Sequence, residues 1–127
     1  MLRETGLVGR ASMEVTEADT AIALCTGEVP VLATPRLVIL AEEACCRALV
    51  GRLEEGTTSV SWRVQLNHSA PAFVGEKVAV EAVLERVAGR RLMFAASARD
   101  LSGRMIGAGK LARVVVDVGT FLDHAGG

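Results

Sequence analysis

The chain has 127 residues, of which 50% are hydrophobic and 3% aromatic, and a formal net charge of −1. This length and apolar fraction suit a single globular domain over residues 1–127, while the near-neutral charge, without a Lys/Arg cluster or aromatic platforms, gives nucleic acid no footprint. No apolar run approaches the roughly 20 residues that span a bilayer, and Met1-Leu-Arg-Glu-Thr-Gly6 lacks the apolar core of a signal peptide, so a soluble, cytoplasmic protein with no membrane partner is expected.

Ala11, Met13 and Val15 alternate with Ser12, Glu14 and Thr16, which predicts a first strand with one buried face, closed by a turn at Glu17-Ala-Asp19. From Ala21 to Val31 the chain is broken by Gly27 and Pro30 and reads as a short strand and a loop. A long buried helix follows. Thr34 stands where an N-cap belongs, Pro35 suits the first helical position, and Gly51 follows the last apolar residue as a stop. Arg36, Glu43 and Arg47 fall within roughly 40° of one another at ~100° per residue and form its wet stripe, with Glu43 four residues before Arg47. Glu42 instead lies among Val38, Ile39, Cys45 and Cys46, with no opposite charge in local reach. A carboxylate there is neutral, paired with a group distant in sequence, facing a cavity, or set at a half-exposed helix edge, because an unpaired buried charge costs too much.

After the polar link Arg52 to Gly56 the period changes to two. Val60, Trp62, Val64, Leu66 and His68 are predicted on one strand face, with Ser59, Ser61, Arg63, Gln65 and Asn67 on the other. His68 thus belongs to the apolar side, either as a strand-end histidine meeting solvent or a carbonyl, or as a partner for Glu42. Beyond the loop Pro71 to Gly75, one strand carries Val78, Val80, Ala82 and Leu84. A turn at Gly89-Arg90 leads to another with Leu92, Phe94, Ala96 and Ala98. After the turn Asp100 to Gly103, Met105 to Asp117 places Ile106, Ala108, Ala112, Val114 and Val116 on one side, interrupted by Lys110. One helix followed by four sequential strands predicts an α+β fold in which an antiparallel meander covers the helix. Residues 118–127 read as a tail with Phe121 and Leu122 as anchors and His124 near its end.

Cys25, Cys45 and Cys46 form no C-x-x-C pair and no even set, and read as small apolar fillers in a reducing compartment. Two histidines without H-E-x-x-H or paired-cysteine spacing leave little from which to build a metal site, so no metal is expected. Gly107-Ala-Gly109-Lys-Leu-Ala112 spells a dinucleotide fingerprint but continues as strand rather than opening a helix, so its glycines read as a bulge or a close approach of another backbone.

A short strand, a long buried helix and a curling antiparallel meander resemble the hotdog fold. Val31-Leu-Ala-Thr34 with Glu42 eight residues on, Asn67-His68-Ser-Ala70, Val74-Gly75 and Gly89-Arg-Arg-Leu92 resemble the fluoroacetyl-CoA thioesterase family, over roughly residues 8–118. That resemblance implies that Thr34, Glu42 and His68 form the catalytic group of an enzyme hydrolysing an acyl-CoA thioester to a carboxylic acid and coenzyme A, with no cofactor beyond the substrate's own coenzyme A. In such a group Glu42 attacks or orients the attacking water, and His68 exchanges protons near neutral pH. Thr34 bonds Glu42 or the thioester oxygen, and the helix N-terminus offers N–H groups to the oxyanion. Arg90 and Arg91 are candidate contacts for the coenzyme A phosphates, weighed against ordinary solvated hairpin arginines.

Eight helical residues separate the Thr34 and Glu42 backbones by ~12 Å. Either Thr34 lies on a loop that folds back, or the site is shared across a dimer interface. Hotdog proteins are typically dimers, so the resemblance implies a homodimer or a larger assembly. The chain also departs from the pattern. Fluoroacetyl-CoA-hydrolysing members carry phenylalanines in the lid before the threonine, whereas Cys25 to Val31 has no aromatic residue, and Ser61 stands where the pattern has glycine. Two other readings stay open: a non-catalytic hotdog module binding an acyl-CoA or a small apolar acid, and a structural role in which Glu42 pairs with Arg63 or Arg113 in a dimer.

Overall fold

The computed structural model describes residues 2–126, without the side chains of His124 to Gly126, so the predicted placing of His124 lies outside the described residues. Its elements are β1 (Val8–Glu14), a 3-10 turn (Glu17–Asp19), α1 (Thr34–Ala48), β2 (Thr57–His68), β3 (Lys77–Ala88), β4 (Arg91–Asp100), β5 (Met105–Asp117) and α2 (Val118–Gly126). The strands form one sheet in the order β1-β3-β4-β5-β2, antiparallel at every junction. Only β3, β4 and β5 make the meander expected. The link from β2 to β3 is too long for a tight hairpin. It is also tied down elsewhere: Leu32 N–H donates to Ala72 O at 2.8 Å, Val31 bridges Phe73, and Ala72 is fully buried. The chain therefore crosses the sheet, and β2 takes the far edge beside β5.

The helix buries Leu37, Leu40, Ala41, Ala44, Cys45 and Ala48 against the sheet. Its closest approach is at Gly9 of β1, where a Cβ would lie 2.0 Å from Ala44 O and 2.4 Å from Ala48 N, so a residue without a side chain lets helix backbone rest directly on strand backbone. The N-cap is Ala33 rather than Thr34, which becomes the first helical residue with Pro35 second. Of the predicted wet stripe, Arg47 pairs with Glu43 at 3.0 Å, while Arg36 turns to Asp19 at 3.1 Å and ties the helix start to the 3-10 turn.

Strands β3 and β4 bury the predicted faces, Val78, Val80, Ala82 and Leu84 against Leu92, Phe94, Ala96 and Ala98. The other two long strands depart from expectation. In β2 the register with β5 slips between Ser61 and Arg63, leaving Trp62 as an extra, half-exposed residue. A bulge of one residue reverses which side chains face inward. Val64, Leu66 and His68 point toward the helix as predicted, but upstream the inward positions are Ser59 and Ser61, and Val60 lies on the outer face. In β5 Ile106 is buried in the core as predicted, at the register shift opposite Ala98 and Arg99, but beyond it the inward residues are Gly107, Gly109, Leu111, Arg113 and Val115 rather than the even-numbered Ala108, Ala112, Val114 and Val116. Gly107 sits there because Leu37 of the helix and the β2 backbone press on it: a Cβ would meet Asn67 O at 2.6 Å and Leu37 Cδ2 at 3.1 Å. Residues 21–31 form turns rather than a short strand, pinned by the bridge between Thr20 and Leu32. The predicted tail forms α2, whose first turn is capped by Asp117 Oδ1 accepting from Thr120 N–H at 3.0 Å.

Candidate active site

Thr34 and His68 meet. Thr34 opens α1 and His68 ends β2, and Thr34 Oγ1 lies 2.8 Å from His68 Nδ1. The local chain holds both in place. Ala33 N–H donates to Asp19 O at 2.9 Å just before Thr34, and the N–H groups of Ser69 and Ala70 both reach Ile106 O just after His68. Thr34 stands one residue past the Ala33 N-cap, and its hydroxyl meets the imidazole. Of the first four helical residues, Pro35 has no N–H and those of Arg36 and Leu37 donate to Ala33 O, so Thr34 supplies the first-turn N–H not directed there.

The pair borders an open hollow of about 340 Å³, whose wall includes Ala21, Val29, Val31 and Ala70. His68 Nε2 is buried and has no hydrogen-bond partner among the described residues. Burial pulls the imidazole pKa below its ordinary 6.5, while a contact with the Ala70 backbone acts the other way. When Nδ1 carries the proton and donates to Thr34, Nε2 keeps a lone pair, the state a general base requires.

Glu42 lies two turns along the helix, and within one chain it does not join Thr34 and His68. Its partner is Arg113 of β5, whose Nη1 donates to Glu42 Oε1 at 3.2 Å. Glu42 is thus a partly exposed acid on the helix edge, and within the chain it forms an ion pair with a residue distant in sequence. The two groupings are well apart: His68 is opposite Gly107, and Arg113 is six residues further along β5, ~20 Å at ~3.3 Å per residue. Thr34 is helical, so no folded-back loop closes the gap.

Arg90 and Arg91 are exposed at the β3–β4 turn. Arg90 Nη1 donates to Val115 O at 3.3 Å, and the Arg91 guanidinium stacks 4.6 Å from the Trp62 ring centroid. Arg91 pairs with Val114, seven residues from Gly107, so within one chain the two arginines lie ~23 Å along the sheet from His68. Among the described residues no cluster of three or more His, Cys, Asp or Glu could hold a metal ion. Ser59 is the group that sequence reading passed over. Its signal was indirect, a charged Arg113 inside the apolar run Leu111 to Val116 that needed polar company.

The family described as fluoroacetyl-CoA-specific thioesterase matches residues 15–119. The chain belongs to that family. The fluoroacetyl-CoA thioesterase of Streptantibioticus cattleyicolor is 38% identical over 91 residues, 72% of this chain and 65% of that protein, so the matched stretch spans just under two-thirds of the relative's length. The solved structure of the fluoroacetyl-CoA thioesterase FlK superposes with a TM-score of 0.88 at 30% identity, covering 98% of this chain and 96% of that one. A hot-dog-like protein from Thermanaerovibrio acidaminovorans shares the fold, with a TM-score of 0.87 at 24% identity over 95% of this chain and 89% of its own. The fold is therefore the hotdog: a long helix wrapped by a curled antiparallel sheet. The hollow beside Thr34 and His68 is walled in part by the small apolar Ala21, Val29 and Val31.

Proposed function

We propose that this chain hydrolyses a small acyl-CoA thioester to a carboxylic acid and coenzyme A, as a homodimer in which Thr34 and His68 of one protomer face Glu42 of its partner. The observation that carries the reading is the Thr34–His68 hydrogen bond beside a hollow walled by alanine and valine, with the second imidazole nitrogen unpartnered among the described residues. Membership of the thioesterase family supports the reaction type. Glu42 delivers or directs the attacking oxygen, a C–O bond forms at the thioester carbonyl, and the C–S bond breaks. The water consumed supplies the proton: His68 Nε2 takes it as the water attacks, either at the thioester carbonyl or at the anhydride formed when Glu42 itself attacks, and passes it to the thiolate sulfur, while Thr34 holds the imidazole in the tautomer this needs. The alanine and valine walls suit a small apolar acyl group.

Two features support the dimer. Each chain holds the acid and the histidine at separated positions, and β2, 12 residues long, pairs with β5 on one side and ends the sheet on the other. A long strand edge is a template for pairing with another chain. No helix among the described residues is long and apolar enough to cross a membrane, and coenzyme A esters are intracellular compounds, which supports a cytoplasmic setting.

Thiol release from a panel of acyl-CoA esters tests the activity. Glu42→Gln and His68→Ala should each lower kcat/KM by at least ~10²-fold, the scale of lost acid–base assistance, while folded protein is retained. Mixing the two inactive variants should restore activity if the site is shared, because the mixed dimer contains one intact Glu42–His68 combination. Near-wild-type rates in both variants would remove the catalytic reading, and failure of complementation with subunit exchange demonstrated would remove the shared site. The pairing of Glu42 with Arg113 favours a second reading, a binding module in which that acid is structural. Coenzyme A esters would then bind without releasing thiol.

A further inference from the structure

We infer that Arg113, seated by Ser59, is a positioning residue that holds the Glu42 carboxylate in its working orientation. The inference rests on Glu42 acting in thioester hydrolysis, as proposed above. Arg113 is 7% exposed in the middle of an apolar strand. Taking a guanidinium out of water is costly and is tolerated only where its donors are met. Here three nitrogens each have a partner: Nε donates to Ser59 Oγ at 2.8 Å, Nη2 to Ser59 O at 3.0 Å, and Nη1 to Glu42 Oε1 at 3.2 Å. Two of the three bonds go to a single residue of the neighbouring strand, so the plane of the guanidinium is set by β2 rather than by the helix. Ser59 faces inward only because the extra residue at Trp62 reverses the strand's alternation.

The third bond has the form expected of a support. It is a single-point contact, and among the described residues the Glu42 carboxylate makes no other hydrogen bond, so Oε1 is anchored and Oε2 remains for chemistry. A bidentate fork, the usual arrangement of arginine with a carboxylate, would occupy both oxygens. Cys45 is the other titratable group on the helix that bears on this cluster. Burial pushes its thiol up to about 12, so it stays neutral and brings no rival charge to Arg113.

The experiment is a double-mutant cycle with thiol release as the readout. Arg113→Gln should lower kcat by about 10–100-fold, the size of a lost hydrogen bond to a charged group, with KM changed less than about twofold. In the Glu42→Gln background the same substitution should cost less than about twofold, because a group that acts only through Glu42 has nothing left to support. Guanidinium chloride at non-denaturing concentration should restore part of the rate to Arg113→Gln, and sodium chloride at equal ionic strength should not. If Arg113→Gln melts below the assay temperature, Ser59→Ala carries the test, since it keeps the ion pair and the Nη2 bond to the residue-59 carbonyl but removes the partner of Nε that sets the tilt of the guanidinium; a wild-type kcat there overturns the inference. A full rate in folded Arg113→Gln, or an equal loss in both backgrounds, also overturns it. If Glu42→Gln itself keeps the wild-type rate, the catalytic reading of that acid fails and the inference falls with it.

Discussion

Replacing Gly9 with alanine should lift the central helix off the sheet. A Cβ at that position would lie 2.0 Å from Ala44 O, where ordinary contact begins at 3.4 Å, so the two surfaces are about 1.4 Å too close to admit it. The obstructing atoms are helix backbone, and no rotamer change relieves them. Either α1 moves outward or β1 bends away, and the buried contacts of Ala41, Ala44 and Ala48 open in both cases. Overpacking of this kind costs about 1–3 kcal/mol, and an obstacle made of backbone belongs at the upper end. The loss of chain entropy in the unfolded state works in the opposite direction by only about 0.4–1 kcal/mol, so destabilisation wins. A net cost of about 2 kcal/mol lowers Tm by roughly 6–8 °C for a chain of this size. Far-ultraviolet circular dichroism during a thermal ramp measures it. A Gly9→Ala variant melting within about 1 °C of the wild type would refute the claim that helix and strand backbones touch there.

Thr34→Val keeps the shape of the side chain and removes the hydroxyl, leaving His68 Nδ1 without its partner. At about 1–3 kcal/mol for such a loss, kcat/KM should fall roughly 5–100-fold in thiol release, and Thr34→Ser should recover most of it. An unchanged rate in the valine variant would show that the hydrogen bond does not serve the reaction. The lowered pKa of His68 gives a signed pH dependence. Between that value and 6.5 the unfolded chain binds a proton that the folded chain refuses, so this contribution to stability is complete above about pH 6.5 and is lost as pH falls through the window. The acidic limb of kcat/KM in the free enzyme should accordingly lie below pH 6.5, and His68→Gln should flatten the dependence of Tm on pH over the same range. A limb centred above 6.5 would contradict the burial of the imidazole.

Much of this arrangement was legible in the amino-acid order because it depends on local periodicity. The helix, the inward faces of β3 and β4, and the apolar setting of His68 all follow from spacing alone. Thr34 and His68 were each identifiable, but their hydrogen bond was not, since it depends on how the crossing after β2 brings a strand end to a helix start. The inward face of β5 was hidden for a physical reason. Its glycines are interior because neighbouring backbone fills their space, whereas an alternation rule assigns the interior to the larger apolar residues. Trp62 defeated the same rule in β2, since one unpaired residue exchanges inside for outside without altering composition. Glu42 was recognisable as an acid needing a partner, but choosing Arg113 over Arg63 required the register of two strands that only the folded sheet defines.

That extra residue at Trp62 also makes the strand sensitive to length more than to identity. Upstream of it the odd-numbered side chains point inward and supply Ser59 to Arg113; downstream the even-numbered ones do and present His68 to Thr34. Deleting a single residue between Val60 and Val64 would turn one of those two side chains outward while leaving nearly the same amino acids present. Over this short run, drift by substitution is open to the chain and drift by insertion or deletion is closed.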